Sequence, residues 1–484
     1  MHFKIIQKIL GLLLIAFSLT LTPPMLVSLI YKDQALGALL VAFFVMFGLG
    51  MMFWFPMRHV KQELYLRDGF IITAVFWSVL GVVGALPFLL VESIDITIAK
   101  AVFESVSGFT TTGATVLSGL DSMPESILYY RQQLQWLGGL GIIVLAVAIL
   151  PMLGIGGMQL YRAEAPGPMR DEKLTPRLAH TAKALLFIYS SLTIACALAY
   201  WVAGMTAFDA ICHSYTTVAT GGFSTHDASL GFYDNVWIEV IAIFFMMMGS
   251  LNFSIHFIAW RKRDLMTYWH DFQGMVFIAI VLGLIAISII VLMWTGKYPD
   301  FFTALRYASF QVVSIISSTG YLTDEFHQWP LFLPILILGS GFIGGCVGST
   351  TGGIRVVRII LLYKQAAREI MRLIHPNAII TVKIGQRKVS DSVAQAVWGF
   401  SFLYMASFIL LSLMFMATGA DMVTAFAGVA STLNMTGPSL GTVALTFESV
   451  ESSAGLWILS FAMLLGRLEV FTLLVLLTPA FWRH

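Results

Sequence analysis

Long apolar runs, each near the length a helix needs to cross a bilayer, alternate along this chain with short polar segments. The first run, Ile9 to Ile30, follows Lys4 and Lys8, a charge pattern shared with signal peptides. It is longer than the apolar core of such a peptide and lacks a small-x-small cleavage site, so it is expected to remain as a helix. A second run, Gly37 to Phe55, is separated from it only by Tyr31 to Leu36, which predicts a tight helical hairpin. The rest resolves into four units of one form: span, short polar-tipped helix, loop of hydroxyl residues and glycine, span. Predicted spans are Phe70–Val91 and Ile127–Leu153 in unit one, and Ala182–Ala203 and Val236–Ile258 in unit two. They are Gly274–Trp294 and Leu331–Leu362 in unit three, and Ala394–Ala417 and Leu456–Phe481 in unit four. With the hairpin this makes ten spanning helices. The expected division is residues 1–66 for the hairpin and 67–160, 161–263, 264–374 and 375–484 for the four repeats, the third with a broken second helix.

Repetition of the loops carries the argument. Unit one reads AVFESVSGFTTTG from Ala101, unit two AICHSYTTVATGG from Ala210, unit three ASFQVVSIISSTG from Ala308 and unit four AFAGVASTLNMTG from Ala425. Ungapped alignment sets Gly113, Gly222, Gly320 and Gly437 in one column, 109, 98 and 117 residues apart (113 to 222, 222 to 320, 320 to 437). In unit two it selects Gly222 rather than Gly221. A second column holds only small hydroxyl residues, Ser107, Thr216, Ser314 and Ser431. One such string alone would be read as an extracellular turn.

Composition agrees with a membrane protein. Charged residues are 11% of the 484-residue chain, against about 25% in soluble domains. Cys196, Cys212 and Cys346 are scattered in apolar segments without pairing or metal-ligand spacing and read as packing residues. Basic residues collect at Arg58–Arg67, Arg162–Arg177, Arg261–Arg263 and Lys364–Lys388, whereas acids flank the glycine loops: Asp121, Glu125, Asp227, Asp234, Asp324, Glu325, Glu448 and Glu451. By the positive-inside rule the loops face outward and both termini lie inside. The acids either concentrate cations at a mouth or simply solvate the loops.

A polar loop at membrane depth is tolerated where it is buried in protein or lines a water-filled path, and a permeating ion needs oxygens to replace its water. Glycine allows left-handed backbone, so one per loop can aim carbonyls at a common level. The expected coordinators are Thr111, Thr112 and Gly113, Thr220, Gly221 and Gly222, Ser318, Thr319 and Gly320, and Met435, Thr436 and Gly437. Unit four departs from the pattern at Asn434, Met435 and Pro438, so a strictly fourfold filter is not expected. Glu104, His213, Gln311 and Gly428 share one helix column whose variability argues for structural hydrogen bonding.

The second span of unit three has seven glycines between Gly339 and Gly353. Each costs roughly 1 kcal/mol against alanine inside a helix, so a break with an intramembrane loop at Gly344–Thr351 is predicted. The alternative is a close-packed helix interface built on small residues. In this respect the span is expected to differ from its three counterparts. Arg467 lies between apolar neighbours in the last span, where a charge is functional by default. It would be a positive barrier below the loops or one half of a structural ion pair. Glu469, two residues on, points elsewhere on that helix. No catalytic set and no phosphate-binding loop stands out, so no enzymatic activity and no organic cofactor are expected.

A fourfold span–pore helix–filter–span repeat, with VSGFTTTGATVL, GGCVGSTTGGIRVVR and LGRLEVFT, resembles the Trk/Ktr/HKT superfamily of potassium transport proteins over essentially the whole chain. The resemblance implies an all-α polytopic membrane protein of four pseudo-repeated units around a central pore plus an N-terminal hairpin. It implies K⁺ in the filter and a gating loop at Gly345, Cys346, Val347, Gly348, Ser349 and Thr350, with Arg467 facing the pore beside it. Serine at the first filter glycine of plant members goes with sodium transport, so Gly113 implies potassium. The resemblance further implies a homodimer in a bacterial inner membrane, in contact with lipid, with no nucleic-acid partner. Regulation would come from a cytoplasmic ring of nucleotide-binding RCK (TrkA-like) subunits docked on the basic surfaces Arg162–Arg177 and Lys364–Lys388. The expected function is potassium uptake through a gated, cation-selective, channel-like pore. The alternative is an ion-coupled secondary transporter moving K⁺ with H⁺ or Na⁺.

Overall fold

The computed structural model describes residues 2–60, 66–144, 174–378, 380–385 and 387–482. Three helices, α1 (Phe3–Leu19), α2 (Thr22–Tyr31) and α3 (Leu36–Met57), form the hairpin. Pro23 and Pro24 occupy the first turn of α2, where the missing amide is tolerated, and mark its step from α1. α1 and α3 nearly touch because Gly11 faces Gly50: a methyl added at Gly11 would lie 2.8 Å from the Gly50 carbonyl oxygen. At the hairpin tip, the Asp33 carboxylate accepts the Ser126 amide at 2.8 Å and ties the pair to unit one.

Unit one comprises α4 (Leu66–Val83), α5 (Leu86–Leu90), α6 (Ile98–Phe109) and α7 (Glu125–Val144). Its predicted second span continues to Leu153, but residues 145–153 lie outside the described residues. Unit two comprises α8 (Leu174–Val202), α9 (Ala207–Val218), α10 (Val236–Ser250) and α11 (Phe253–Lys262). Unit three has α12 (Phe272–Trp294), α13 (Phe301–Ile316), α14 (Leu333–Ser340) and α15 (Val356–Ile374). Unit four has α16 (Asp391–Met416), α17 (Met422–Asn434), α18 (Ser453–Arg467) and α19 (Phe471–Leu476). The fold is all-α and polytopic, apart from a two-residue antiparallel pair, Lys383–Ile384 with Arg387–Lys388.

Among the described residues, six apolar helices are long enough to cross a bilayer unaided. They are the two arms of the hairpin and the first span of each unit. Their outer faces expose large apolar side chains, Val202, Ile290 and Phe402 among them, as lipid contact requires. The second spans behave differently. Unit three breaks as predicted, although its irregular stretch, Gly341 to Arg355, is longer than the predicted Gly344–Thr351.

The expectation that unit three alone breaks is wrong. In unit two the predicted single helix Val236–Ile258 is two helices bent by 99° at Leu251 and Asn252. Asn252 caps α11 through the Ser254 amide at 2.9 Å, and carbonyls freed from the end of α10 are taken up by the loop of unit three. In unit four the chain breaks after Arg467, with Glu469 and Val470 both at positive φ, 53° and 47°.

The short helices α6, α9, α13 and α17 are buried over their C-terminal parts and share one design. Each begins at a cap, Thr97, Thr206, Asp300 or Asp421, whose side chain accepts the amide three residues on. Each ends directly at a glycine loop, which places the negative end of four helix dipoles around one point.

Candidate ion pathway

At the end of each short helix the chain turns left-handed and closes on the same hydroxyl column. Thr111, Thr220, Ser318 and Met435 have φ of 58°, 50°, 53° and 58°. The amides of Thr112, Gly221, Thr319 and Thr436 donate back to the carbonyls of Ser107, Thr216, Ser314 and Ser431 at 2.8–2.9 Å. The column glycines then take φ of 79°, 80°, 83° and 79°. Gly222, not Gly221, is left-handed, so the aligned register is the structural one. Left-handed residues two apart direct the intervening amides to one side and their carbonyls to the other. Met435 adopts the same backbone as its three counterparts despite its side chain.

The four loops form a closed ring. A Cβ added at Gly113 would overlap the Gly221 carbonyl oxygen; at Gly222, that of Thr319; at Gly320, that of Thr436. At Gly437 it would lie 3.0 Å from the Thr112 oxygen, which returns the circuit to unit one. Each column glycine is thus packed beside the carbonyl that precedes the next one. Among the described residues, no hydrogen bond reaches the carbonyl oxygens of Thr112, Thr319 or Thr436. Buried backbone oxygens without partners are rare, and a ring of them is a site for a cation.

Above the ring a cavity of about 350 Å³ is lined by Gly113, Gly222, Gly320 and Pro438, with Asp227, Asp324, Glu325, Arg131 and His226. Several of the acids flanking the loops are engaged: Asp234 pairs with Arg306 at 2.7 Å and Asp324 accepts from Tyr298 and from Trp329. His226 stacks on Phe232 at 3.6 Å and meets the Asp121 carboxylate at 2.5 Å. Burial alone would lower its pKa, but Asp209 and Asp121 outweigh that and hold it above the ordinary imidazole value.

The outer strands are anchored by the variable helix column. Glu104 accepts the Val116 amide at 2.9 Å, His213 bonds Ser224 at 2.9 Å, and Gln311 donates to the Asp324 carbonyl at 2.9 Å. Arg131, which the sequence reading passed over, clamps two units at once. It donates to Glu104 at 2.9 Å and to the Ser224 carbonyl at 3.1 Å. Its signal was available as a charge inside the predicted span Ile127–Leu153.

On the far side of the ring lies the broken stretch of unit three. Cys346 is buried and donates its amide to Ser250 at 2.9 Å; the Thr350 amide goes to Gly249 at 3.2 Å and the Gly348 carbonyl accepts Phe253 at 3.0 Å. Gly345 accepts the Val356 amide at 3.1 Å, the Val347 amide meets Gln273 at 3.4 Å, and Ser349 bonds Thr351 at 2.7 Å. The loop reaches the ring itself. Thr220 donates to the Thr350 hydroxyl at 3.0 Å, and the Gly352 amide donates to Ser318 at 2.7 Å. Arg467, buried in α18, donates to the Thr350 carbonyl at 3.0 Å and the Gly138 carbonyl at 3.3 Å. It has no carboxylate partner among the described residues. Glu469 turns away to pair with Arg358 at 2.6 Å. Of the basic surfaces, Arg162, Arg170 and Lys173 lie outside the described residues.

Known proteins resemble this chain throughout. A profile of the TrkH family, described as cation transport protein, matches residues 37–483. The Trk system potassium uptake protein TrkH of Salmonella typhimurium is 54% identical over 484 residues, covering all of both chains. The protein of that name from Halomonas elongata is 53% identical over 483 residues, again over the whole of each. The crystal structure of the potassium transporter TrkH from Vibrio parahaemolyticus superposes with a TM-score of 0.93 at 50% identity, over 100% of both chains.

Proposed function

This chain belongs to the TrkH family of cation transport proteins, and we propose that it carries out potassium uptake through the ring of four glycine loops. The observation that supports this best is the set of buried ring carbonyls without hydrogen-bond partners. In a dehydrated path they are the oxygens a potassium ion needs in place of water. In this reading K⁺ is coordinated by backbone oxygens from Thr111 to Gly113, Thr220 to Gly222, Ser318 to Gly320 and Met435 to Gly437. The four helix C-termini add a favourable field for a cation. The five-part division of the chain, hairpin plus four repeats, belongs to the same reading.

The loop holding Gly345 to Thr350 is the gate, and Arg467 is the charge that keeps the path unfavourable while it is closed. The loop and Arg467 meet the underside of the ring, through Thr350, Gly352 and Met435. Opening would require the Thr350 and Gly352 contacts to the ring to part. Energy for that comes from the cytoplasmic side, through an RCK-type, TrkA-like nucleotide-binding subunit acting on a homodimer in the bacterial inner membrane, both termini inside. α15, which leads directly out of the loop and carries Lys364, Arg368 and Arg372, is the element through which such a partner would pull.

The test is reconstitution of the purified protein in lipid, with reversal potentials measured in opposing K⁺ and Na⁺ gradients. A potential that follows the K⁺ gradient is expected. A fixed coupling ratio to H⁺ or Na⁺ would replace the channel-like pore with a coupled carrier.

A further inference from the structure

The four ring carbonyls are not equivalent, and the exception is in unit two. In units one and three the residues one and three before the glycine carry hydroxyls that bond each other, Thr110 with Thr112 at 2.7 Å and Ser317 with Thr319 at 2.8 Å. In unit four Thr436 turns its hydroxyl back to the Ser431 carbonyl at 3.4 Å. Unit two has Ala219 and Gly221 at these places, so both hydroxyls are missing.

Gln135, fully buried on α7 of unit one, fills the gap. Its Nε2 donates to the Gly221 carbonyl at 2.7 Å and its Oε1 accepts the Phe223 amide at 3.0 Å, so one carboxamide brackets Gly222 from both sides. Only this orientation of the amide satisfies both partners. The space is shared to the atom: a Cβ at Gly221 would lie 2.5 Å from the Gln135 carboxamide carbon. Any side chain at Gly221 therefore requires Gln135 to shift.

We infer that Gln135 is a specificity-determining positioning residue of the filter, placed where unit two lacks the hydroxyl pair and holding the carbonyl that the other units leave free. The inference rests on the pore reading above. By donating to Gly221 it commits one lone pair of that carbonyl and pins its direction. Among the described residues, Gly221 is the one member of the ring carbonyls so engaged. The ion then faces three free carbonyls and one that is restrained and partly spent. Releasing the fourth lets it follow a smaller ion inward, and the preference for the larger ion falls.

The experiment uses the full-length protein in liposomes and reads the K⁺/Na⁺ permeability ratio from reversal potentials. Gln135→Ala should lower the ratio by about two- to ten-fold, the range of one net hydrogen bond. Gln135→Met, of similar length without the polar atoms, should do the same and serves if the alanine variant does not fold. Combining Gln135→Ala with Ala219→Ser and Gly221→Thr rebuilds a hydroxyl pair of the kind in units one and three but no donor to the residue-221 carbonyl, so the ratio should stay lowered. Gly221→Thr alone should abolish conduction. A ratio unchanged in both Gln135 variants, or restored in the triple variant, overturns the inference and leaves the pore reading standing. A wild-type protein whose potential ignores the K⁺ gradient overturns both.

Discussion

Replacing Arg467 by Gln should raise K⁺ flux through the unstimulated protein. The guanidinium is buried, sits at hydrogen-bond distance from Thr350, and lies 3.9 Å from the Met435 sulfur, at the last residue before the ring carbonyls. Taking roughly 4 Å as the closest approach of an ion to this charge gives an upper bound on the repulsion. Two unit charges at that distance repel by about 1 kcal/mol in water and about 4 kcal/mol at an effective dielectric of 20. At about 1.4 kcal/mol per factor of ten, removing the charge should increase flux by roughly five-fold to nearly a thousand-fold. Glutamine is the informative replacement because it removes the charge while keeping amide N–H donors beside the Thr350 carbonyl, although its shorter side chain does not span to the Gly138 carbonyl as well. Alanine would leave the buried Thr350 carbonyl without this donor and cost about 1–3 kcal/mol, mixing a folding defect into the measurement. The assay is ⁸⁶Rb⁺ or K⁺ uptake into liposomes, normalised to folded protein by size-exclusion profile. Flux at the wild-type level in a folded Gln variant would refute the barrier. Wild-type flux in Gln with raised flux in Ala would assign Arg467 to tethering the loop.

Other perturbations address the remaining parts. Shortening the loop within Gly345–Thr350 should raise basal uptake; unchanged uptake in intact protein removes the gate from this segment. Gly113→Ser should shift preference toward Na⁺ because its side chain would press on the Gly221 carbonyl, and an unaltered permeability ratio would take Gly113 out of the selectivity argument. Asn252→Ala should destabilise the α10–α11 corner by about 0.5–2 kcal/mol, the usual cost of losing a helix cap, read as a lower melting temperature. The His226 clasp carries a pH signature. A histidine whose folded pKa is raised contributes stability below its unfolded pKa and loses it as pH rises through the folded value. His226→Gln should therefore lower the melting temperature at acidic pH and leave it unchanged well above the folded pKa; equal loss at both ends would refute the charge-based clasp.

The repeat was legible because it is written in short-range chemistry. Spans follow from apolar length, and the register followed from a hydroxyl column that proves to accept the ring amides, Ser107 to Thr112 and its three counterparts. Arg467 was legible for the same reason, as a charge no lipid-facing helix would carry. The break of unit three was visible because seven glycines are a local cost. The break of unit two was not, since Asn252 alone is a weak stop signal. Its cause lies about a hundred residues downstream, where Cys346 and Thr350 supply the amides that Ser250 and Gly249 no longer find in their own helix. Glu469 and Val470 are likewise held at positive φ by tertiary context, with Glu469 paired to Arg358. The Gln135 bracket was hidden because its partners are backbone atoms of another unit.

These long-range contacts explain why, in units two, three and four, it is the second span that is interrupted. A second span that ran straight past the ring would have no free backbone groups to offer the loop. Breaking α10 at Leu251 releases carbonyls that hold the loop in place, and ending α18 at Arg467 lets that side chain turn onto Thr350. The left-handed residue two before each glycine completes the linkage from above. Thr220 bonds Thr350, Ser318 bonds Gly352, Met435 touches Arg467, and Thr111 packs by Gly138, whose carbonyl Arg467 also holds. All four members of that column thus rest on the layer beneath, two of them, Thr220 and Ser318, on the loop itself, so the loop cannot move away without unloading that half of the ring. It follows that variants which loosen the loop should alter ion preference as well as flux, and a loop deletion that raises flux while leaving the K⁺/Na⁺ ratio untouched would show the two layers to be independent.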